Sequence, residues 1–324
     1  MTTTAPLVTV LMTAFNRERF IGAAIESVLA QTVDDLELVI VDDRSTDRTV
    51  EIARAYAARD PRIRVVVNER NLGDYANRNR AVSLAWGTYF KYHDSDDIMY
   101  PHCLAVMLHG LAAHPSAGFA LSASRHWPGG PCPMLVSPRH SYQREFLGSG
   151  QFMVGPACAL FRTEVFRALG GFRDVGLFSD HVFWLRACAR VPVVLVAGDL
   201  FWYRIHGEQQ LHTGRPERDT LCVSPVVWAA LNAPDCPLEP GEREVAKANH
   251  AYVTAREAWR DARRGRWRFA LARLRTAGLS GSEWLRYLRP PQRTADAGTP
   301  LDAVTGVQLA PPAQDRPAQE RVAL

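Results

Sequence analysis

LVTVLMTAFNRERFIGAAIESVLAQTVDDLELVIVDD, residues 7–43, passes from one β-rich segment to another through a helical pattern. Leu7–Met12 is dense in aliphatic and β-branched residues and reads as a strand. Over Phe20–Ala30 the apolar residues fall at Ile21, Ala24, Ile25, Val28 and Leu29, the period of one helix face. Leu36–Val41 is again a strand, and it stops at Asp42 and Asp43. The alternation continues with a helix through Val50, Ile52, Ala53 and Tyr56, a strand at Ile63–Val67, a helix over Tyr75–Ala85 and a strand at Tyr89–His93. Such a run predicts an α/β fold whose mainly parallel central sheet carries helices on both faces. Ligands in these sheets sit in the crevice beyond the carboxyl ends of the strands, so the polar residues after each strand are the first to inspect.

Farther along, Pro128, Gly129, Gly130, Pro131, Pro133 and Pro138 predict a loop over 124–150. Regular structure is expected again at Gln151–Phe161, in a helix from Asp180 to Ala189, and at Val193–Arg204. Composition shifts after about 215. Residues 241–276 are helix-prone and rich in Ala and Arg, with Val245, Tyr252, Trp259, Trp267, Leu271 and Leu274 as candidate packing positions. The expected organisation is one α/β domain at 1–215, with a donor half at about 1–100 and an acceptor half at about 101–215. A helical extension follows at 216–289, then a disordered tail at 290–324, rich in Pro, Ala, Gln and charge. The basic helices with Trp259, Trp267 and Trp284 could pack on the core, meet a partner or touch a membrane surface. Helical spacing of Trp favours packing.

Composition bounds the function. The chain has 324 residues, 47% hydrophobic and 22% charged, as a protein with a sizeable core has. Its 38 basic and 34 acidic residues leave a formal charge of +4, which gives no argument for nucleic acid. Six cysteines (103, 132, 158, 188, 222 and 236) have no metal-ligand spacing and read as free thiols of a reducing compartment. The N-terminus lacks a basic segment followed by a long apolar run, and no apolar stretch reaches the roughly 18 residues of a membrane span. The expectation is a cytoplasmic protein whose membrane contact, if any, is peripheral.

Three acidic groups carry candidate chemistry. In VDDRSTD (41–47), Asp42 and Asp43 end a strand, where a carboxylate can accept the imide N–H of uracil or thymine; the alternative is an Asp-rich turn that caps the next helix. In KYHDSDD (91–97), Asp94, Asp96 and Asp97 follow the fourth strand, a placement suited to a hard divalent cation and the pyrophosphate it bridges; the alternative is a solvated acidic turn. In GGFRDVGLFSDHVFWLR (170–186), Asp180 opens an apolar helix as a general base or as its N-cap. Arg78 could form a fork with phosphate or be a solvated helix-face arginine, and His206 could meet a metal or be structural.

Taken in order, VTVLMTAFNRERFIGAAIESVLAQT, ELVIVDDRSTDRT, NLGDYANRNRA, YFKYHDSDDIMYP, GGF…SDHVFWLR and YRIHGEQQ resemble the inverting family 2 glycosyltransferases of the GT-A fold over about the first 210 residues. The resemblance implies that Thr13, Ala14, Phe15 and Asn16 line a nucleotide pocket, that Asp43 reads the base, and that Arg78 lies near the phosphates. It makes Asp94-Ser95-Asp96 the DXD motif, with Asp96 the principal ligand of Mn2+ or Mg2+, Asp94 and Ser95 by the donor, and His206 at the metal or diphosphate. Asp180 becomes the catalytic base. The position before the base, often acidic in the family, is Ser179 here, and the Gln-x-x-Arg-Trp motif of processive members is missing after His206.

The implied reaction moves a sugar from a UDP- or TDP-sugar to an acceptor hydroxyl, non-processively and with inversion. The alternative is a catalytically silent nucleotide-sugar-binding scaffold on the same fold. A nucleotidyltransferase would need a Gly-rich loop after the first strand, where TAFNRERF stands, and a nicotinamide dehydrogenase would need GxGxxG.

Overall fold

The computed structural model describes residues 5–122, 132–148, 150, 152, 154–207, 209, 216–279 and 283–287. The tail expected at 290–324, and part of the loop expected from 124, lie outside the described residues.

The first half alternates as its periodicity predicts: β1 (Val8–Ala14), α1 (Ile21–Leu29), β2 (Leu36–Asp42), α2 (Thr49–Ala57), β3 (Ile63–Val67), α3 (Asp74–Ser83) and β4 (Tyr89–Tyr92). β1 runs parallel to β2 from Val8↔Leu36 to Ala14↔Asp42, and parallel to β4 from Val8↔Tyr89 to Leu11↔Tyr92. The chain continues with β5 (Ile98–Met99), α4 (Cys103–Ala113), β6 (Phe119–Ser122), β7 (Met134–Val136), α5 (Pro138–Phe146), β8 (Ala159–Arg162), α6 (Thr163–Ala168), α7 (Ser179–Cys188), β9 (Val193–Val196) and β10 (Phe201–Trp202). The eight-stranded sheet has the order β3-β2-β1-β4-β8-β6-β9-β7, while β10 and β5 form a separate antiparallel pair. β8 is antiparallel to both β4 and β6, and β7 to β9, so the sheet is mixed in its second half.

Strand alternation sorts the core into two layers. Val8, Val10 and Met12 of β1 and Leu38 and Ile40 of β2 pack with Ile21, Ile25 and Val28 of α1 and with Leu104 and Met107 of α4. The intervening Leu11, Val39 and Val41 face the other layer, with Tyr75 and Val82 of α3, Phe166 of α6 and Phe183 and Trp184 of α7. Burying both faces makes the parallel strands mainly apolar; the polar groups inside them are paired, as Thr9 is with Glu37 and Lys91 with the Ala157 carbonyl.

Three sequence expectations change. The 124–150 region, read as loop, contains β7 and α5. Pro138 stands in the first turn of α5, where the missing N–H costs nothing, and Ser137 caps that helix, so this proline starts an element rather than breaking one. Val193–Arg204, expected as regular structure, is regular only at two short strands, separated by a connection in which Asp199 adopts φ 57°.

The third change concerns the C-terminal helices, Pro216–Asn232, Pro240–Arg263, Trp267–Thr276 and Glu283–Arg286. Val227, Leu231, Leu238 and Ala246 join the α7 layer of the main core, and Arg139 of α5 clamps Glu242 through Nε and Nη2 at 3.1 and 3.0 Å. Beyond that point the buried stripe is alanine: Ala251, Ala255, Ala258, Ala262 and Ala270, with Leu274. Trp259, Trp267 and Leu271, expected to pack, are exposed. Small side chains let helix axes approach closely, and the large ones are displaced to the outer face.

Candidate active site

A cleft of about 860 Å³ opens where β1, β2 and β4 end and α3 and α7 begin. Thr13, Ala14, Phe15, Asn16, Asp43, Arg78, Asp94, Asp96 and Asp180 all line it. Ser95, buried at 4% exposure, and His206 are not among its lining residues.

The turn after β1 is set by Asn16, which takes φ 52° and accepts the Thr46 N–H on Oδ1 at 2.8 Å. Asn is among the few side chains that tolerate this backbone region. The VDDRSTD aspartates divide their work. Asp42 accepts the Ser45 N–H at 2.8 Å and its hydroxyl at 2.5 Å, and Asp47 accepts from Thr49, so both act as turn-forming groups. Asp43 lies at the cleft. Its Oδ1 accepts Asn68 Nδ2 at 2.7 Å and the Leu72 N–H at 2.8 Å, and its Oδ2 accepts the Gly73 N–H at 2.9 Å. Gly73 takes φ 87° to turn that N–H inward. A carboxylate has about four acceptor positions, so Asp43 is oriented by three donors with capacity for one more.

Arg78 is no solvated helix-face arginine. It is 9% exposed, donates from Nε to Asp74 Oδ1 at 2.9 Å and from Nη2 to Asp94 Oδ1 at 2.8 Å, and lies 5.5 Å from the Tyr92 ring centroid. Its Nη1 is buried with no partner among the described residues. Burial works on each member. It is the largest influence on Asp74, whose carboxyl is raised even beside Arg78. Burial also raises Asp94, but there the Arg78 guanidinium outweighs it and the net shift is downward. A guanidinium flanked by two carboxylates with one N–H face unspent is a cradle for a further anion.

Asp96 accepts two donors on one oxygen: Arg17 Nε at 3.2 Å and His206 Nε2 at 3.0 Å. His206 therefore reaches the cleft through Asp96, with its ring 4.5 Å from Phe20. Asp97, counted in sequence as a third clustered carboxylate, is 1% exposed and turned away: Oδ1 accepts the Arg204 N–H at 3.0 Å and Oδ2 is unpartnered. Burial, then the neighbouring Asp94, pushes it up to about 8, so it is largely neutral at pH 7. No group of three acidic, His or Cys side chains among the described residues is arranged to hold a metal. What fits a hard cation is the Asp96 carboxylate with the His206 imidazole beside it, a partial ligand set that leaves positions for phosphate oxygens.

Asp180 stands inside the first turn of α7 and is not its N-cap, which is Phe178. Its Oδ1 accepts the His181 N–H at 2.7 Å. Burial raises it to about 6, and the His181 N–H and the Arg78 charge offset part of that rise. Ser179 is fully buried and holds the preceding turn, accepting the Val175 N–H at 2.9 Å and donating to the Gly176 carbonyl at 2.7 Å.

Arg17, Asp74, Tyr203, Gln209 and His181 also line the cleft and were not singled out from sequence. Asp74 had a signal, its i,i+4 spacing to Arg78. Arg17 had none, because nothing local marks one charge in NRER as the partner of a residue 79 positions away.

The family model described as Glycosyl transferase family 2 matches residues 9–170. The chain is 44% identical over 92 residues to the uncharacterized glycosyltransferase EpsJ of Bacillus subtilis (strain 168), covering 28% of this chain and 26% of that protein. It is 39% identical over 103 residues to the chondroitin synthase of Escherichia coli, covering 32% and 15%. The matches thus span well under half the length of these curated relatives. Among solved structures, S. aureus TarS 1–349 in complex with UDP-GlcNAc aligns with TM-score 0.62 at 20% identity over 85% of this chain and 84% of that chain. The mannosyltransferase PcManGT from Pyrobaculum calidifontis, in complex with GDP-Man and Mn2+, aligns with TM-score 0.57 at 20% identity over 88% and 79%.

Proposed function

Because the chain belongs to glycosyl transferase family 2 and has the GT-A fold, we propose that it moves a sugar from a nucleotide-diphosphate sugar, UDP- or TDP-linked, to an acceptor hydroxyl, non-processively and with inversion at the anomeric carbon. The observation that carries this reading is one cleft that collects the Asp43 carboxylate, the buried Arg78 guanidinium with its unpartnered Nη1, Asp94, Asp96 and Asp180. The nucleotide-sugar complexes of the neighbouring folds support the donor class.

Asp43 accepts the imide N–H of the base, held for that task by the Leu72 and Gly73 amides. Arg78 receives a phosphate oxygen on Nη1 while Asp74 and Asp94 fix the plane of its fork. Asp180 accepts the proton of the acceptor hydroxyl as that oxygen attacks the anomeric carbon from the face opposite the diphosphate. The new C–O bond forms as the bond to the diphosphate oxygen breaks, so an α-linked donor gives a β-linked product. A divalent cation held by Asp96, with Asp94 and His206 beside it, would supply positive charge to the leaving group. The transition state has oxocarbenium character, as in glycosidases. A base raised to about 6 is ionised at neutral pH yet stronger than an ordinary aspartate, which suits proton removal from an alcohol.

The test is calorimetric titration of UDP, TDP and GDP, with and without Mn2+, on wild type and Asp96→Ala, followed by NMR of the product's anomeric configuration. Metal-dependent binding of UDP or TDP lost in Asp96→Ala supports the reading. Retained configuration overturns inversion, GDP preference overturns the base assignment, and binding without turnover on any acceptor supports the silent scaffold instead.

A further inference from the structure

The exposed side chains of the C-terminal helices combine two features that a soluble surface seldom carries together. Trp267 is 61% exposed, Val253 53%, Leu271 51%, Leu285 50% and Trp259 45%. Trp259 lies 6.4 Å from Trp284, ring centroid to centroid, so the short last helix extends the same apolar area. Between 252 and 287 the sequence also has nine arginines against three acidic residues, Glu257, Asp261 and Glu283. Arg266 and Arg273 are spent on Asp261, and Arg273 also on Glu257. Arg256, Arg260, Arg263, Arg264, Arg268 and Arg275 are exposed and have no carboxylate partner among the described residues.

We infer that these side chains form one face that docks on an anionic lipid surface, with Trp259, Trp267 and Leu271 entering the headgroup boundary and the arginines without carboxylate partners meeting lipid phosphates. The spacing of Arg256, Arg260, Arg263 and Arg264 puts them along one side of the Pro240–Arg263 helix and its end, and Trp267, Arg268, Leu271 and Arg275 do the same on the next helix. Apolar insertion and phosphate attraction act together on such a face and neither suffices alone. No described helix is long and apolar enough to cross a membrane. A second copy of this face would bring arginine against arginine, which disfavours a symmetric dimer. Single-stranded nucleic acid would use the tryptophans for stacking but has no use for exposed Leu271, Val253 and Leu285.

The experiment is flotation of the full chain with vesicles of phosphatidylcholine alone and of phosphatidylcholine with phosphatidylglycerol, at low and high salt. It is repeated with Arg260→Gln/Arg263→Gln/Arg268→Gln and with Trp259→Ser/Trp267→Ser/Leu271→Ser. The altered positions are exposed, and circular dichroism and Tm confirm that each variant is folded. Wild type is expected to float with the anionic vesicles only and to lose binding at high salt. The arginine variant should lose on the order of a hundredfold in partitioning at low salt, and the apolar variant should fail to float. Equal partitioning of all three proteins, or no flotation of wild type, overturns the inference. So does a concentration-dependent dimer abolished by either variant, or RNA oligonucleotide binding that the apolar variant loses while vesicle flotation is absent.

Discussion

Arg17 donates from Nε to Asp96 Oδ2 at 3.2 Å, placing a fixed cation on the carboxylate that is the principal candidate metal ligand. His206 Nε2 shares that oxygen at 3.0 Å. Both side chains of the Arg17–Asp96 pair are mostly buried, at 20% and 13% exposure, so the contact is more than a surface pairing. A divalent cation and the Arg17 guanidinium compete for one acceptor.

Arg17→Ala is therefore expected to tighten Mn2+ binding to the nucleotide-free protein by about threefold to tenfold, the worth of one partly exposed ion pair. Electron paramagnetic resonance of free Mn2+ measures it. Weaker binding in the variant would mean that Arg17 helps to hold the cation's ligand and does not compete for it.

Replacing Asp180 by Asn removes the proposed base while keeping its shape. Turnover should fall by about 10²–10⁴-fold, with nucleotide affinity unchanged within twofold or so. Because burial raises this carboxyl in the folded protein to about 6, the fold binds its proton more tightly than the unfolded chain does. Stability from this group is therefore present below about pH 4 and lost as pH rises through 6. Asp180→Asn should then be more stable than wild type at pH 7–8 by about 1–2 kcal/mol, a value discounted for the open cleft. Chemical denaturation at pH 5 and pH 8 checks the sign.

The pH–rate profile follows from the same group. The proposed base must be ionised, so kcat/KM should rise with pH through an apparent value near 6 and flatten above 7. Asp97, raised to about 8 and away from the cleft, should leave no second limb in kcat/KM through the base. A profile flat from pH 5 to pH 8 would remove Asp180 as the base.

Arg78 tests the phosphate cradle. Arg78→Met strips the shared cation from Asp74 and Asp94 and should cost about 3 kcal/mol or more in denaturant stability, because two carboxylates are left uncompensated. Arg78→Lys keeps one positive charge but loses the fork. It is expected to stay folded and to bind UDP at least about tenfold more weakly, about 1.4 kcal/mol or more. Full UDP affinity in Arg78→Lys would place the diphosphate elsewhere.

Periodicity and turn chemistry act over a few residues, and what depends on them was legible in the chain alone. The alternation of Leu7–His93 marked four parallel strands within two residues of their observed bounds, and the aspartates at strand ends marked Asp43, Asp94 and Asp96 at one cleft. Pro138 misled because proline breaks a helix from within and starts one from its first turn, and only the cap at Ser137 tells which applies. Trp259 and Trp267 misled because helical spacing names a face without saying whether alanines on the other side have already filled the core. The tertiary structure alone decided which distant charges meet. His206 reaches Asp96 across 110 positions and Arg17 across 79. Desolvation likewise follows from the packing of elements far apart in sequence, and it raised the carboxyls of both Asp180 and Asp97. Local pattern selects the elements and the chemical groups; long-range packing assigns each group its partner and its dielectric surroundings.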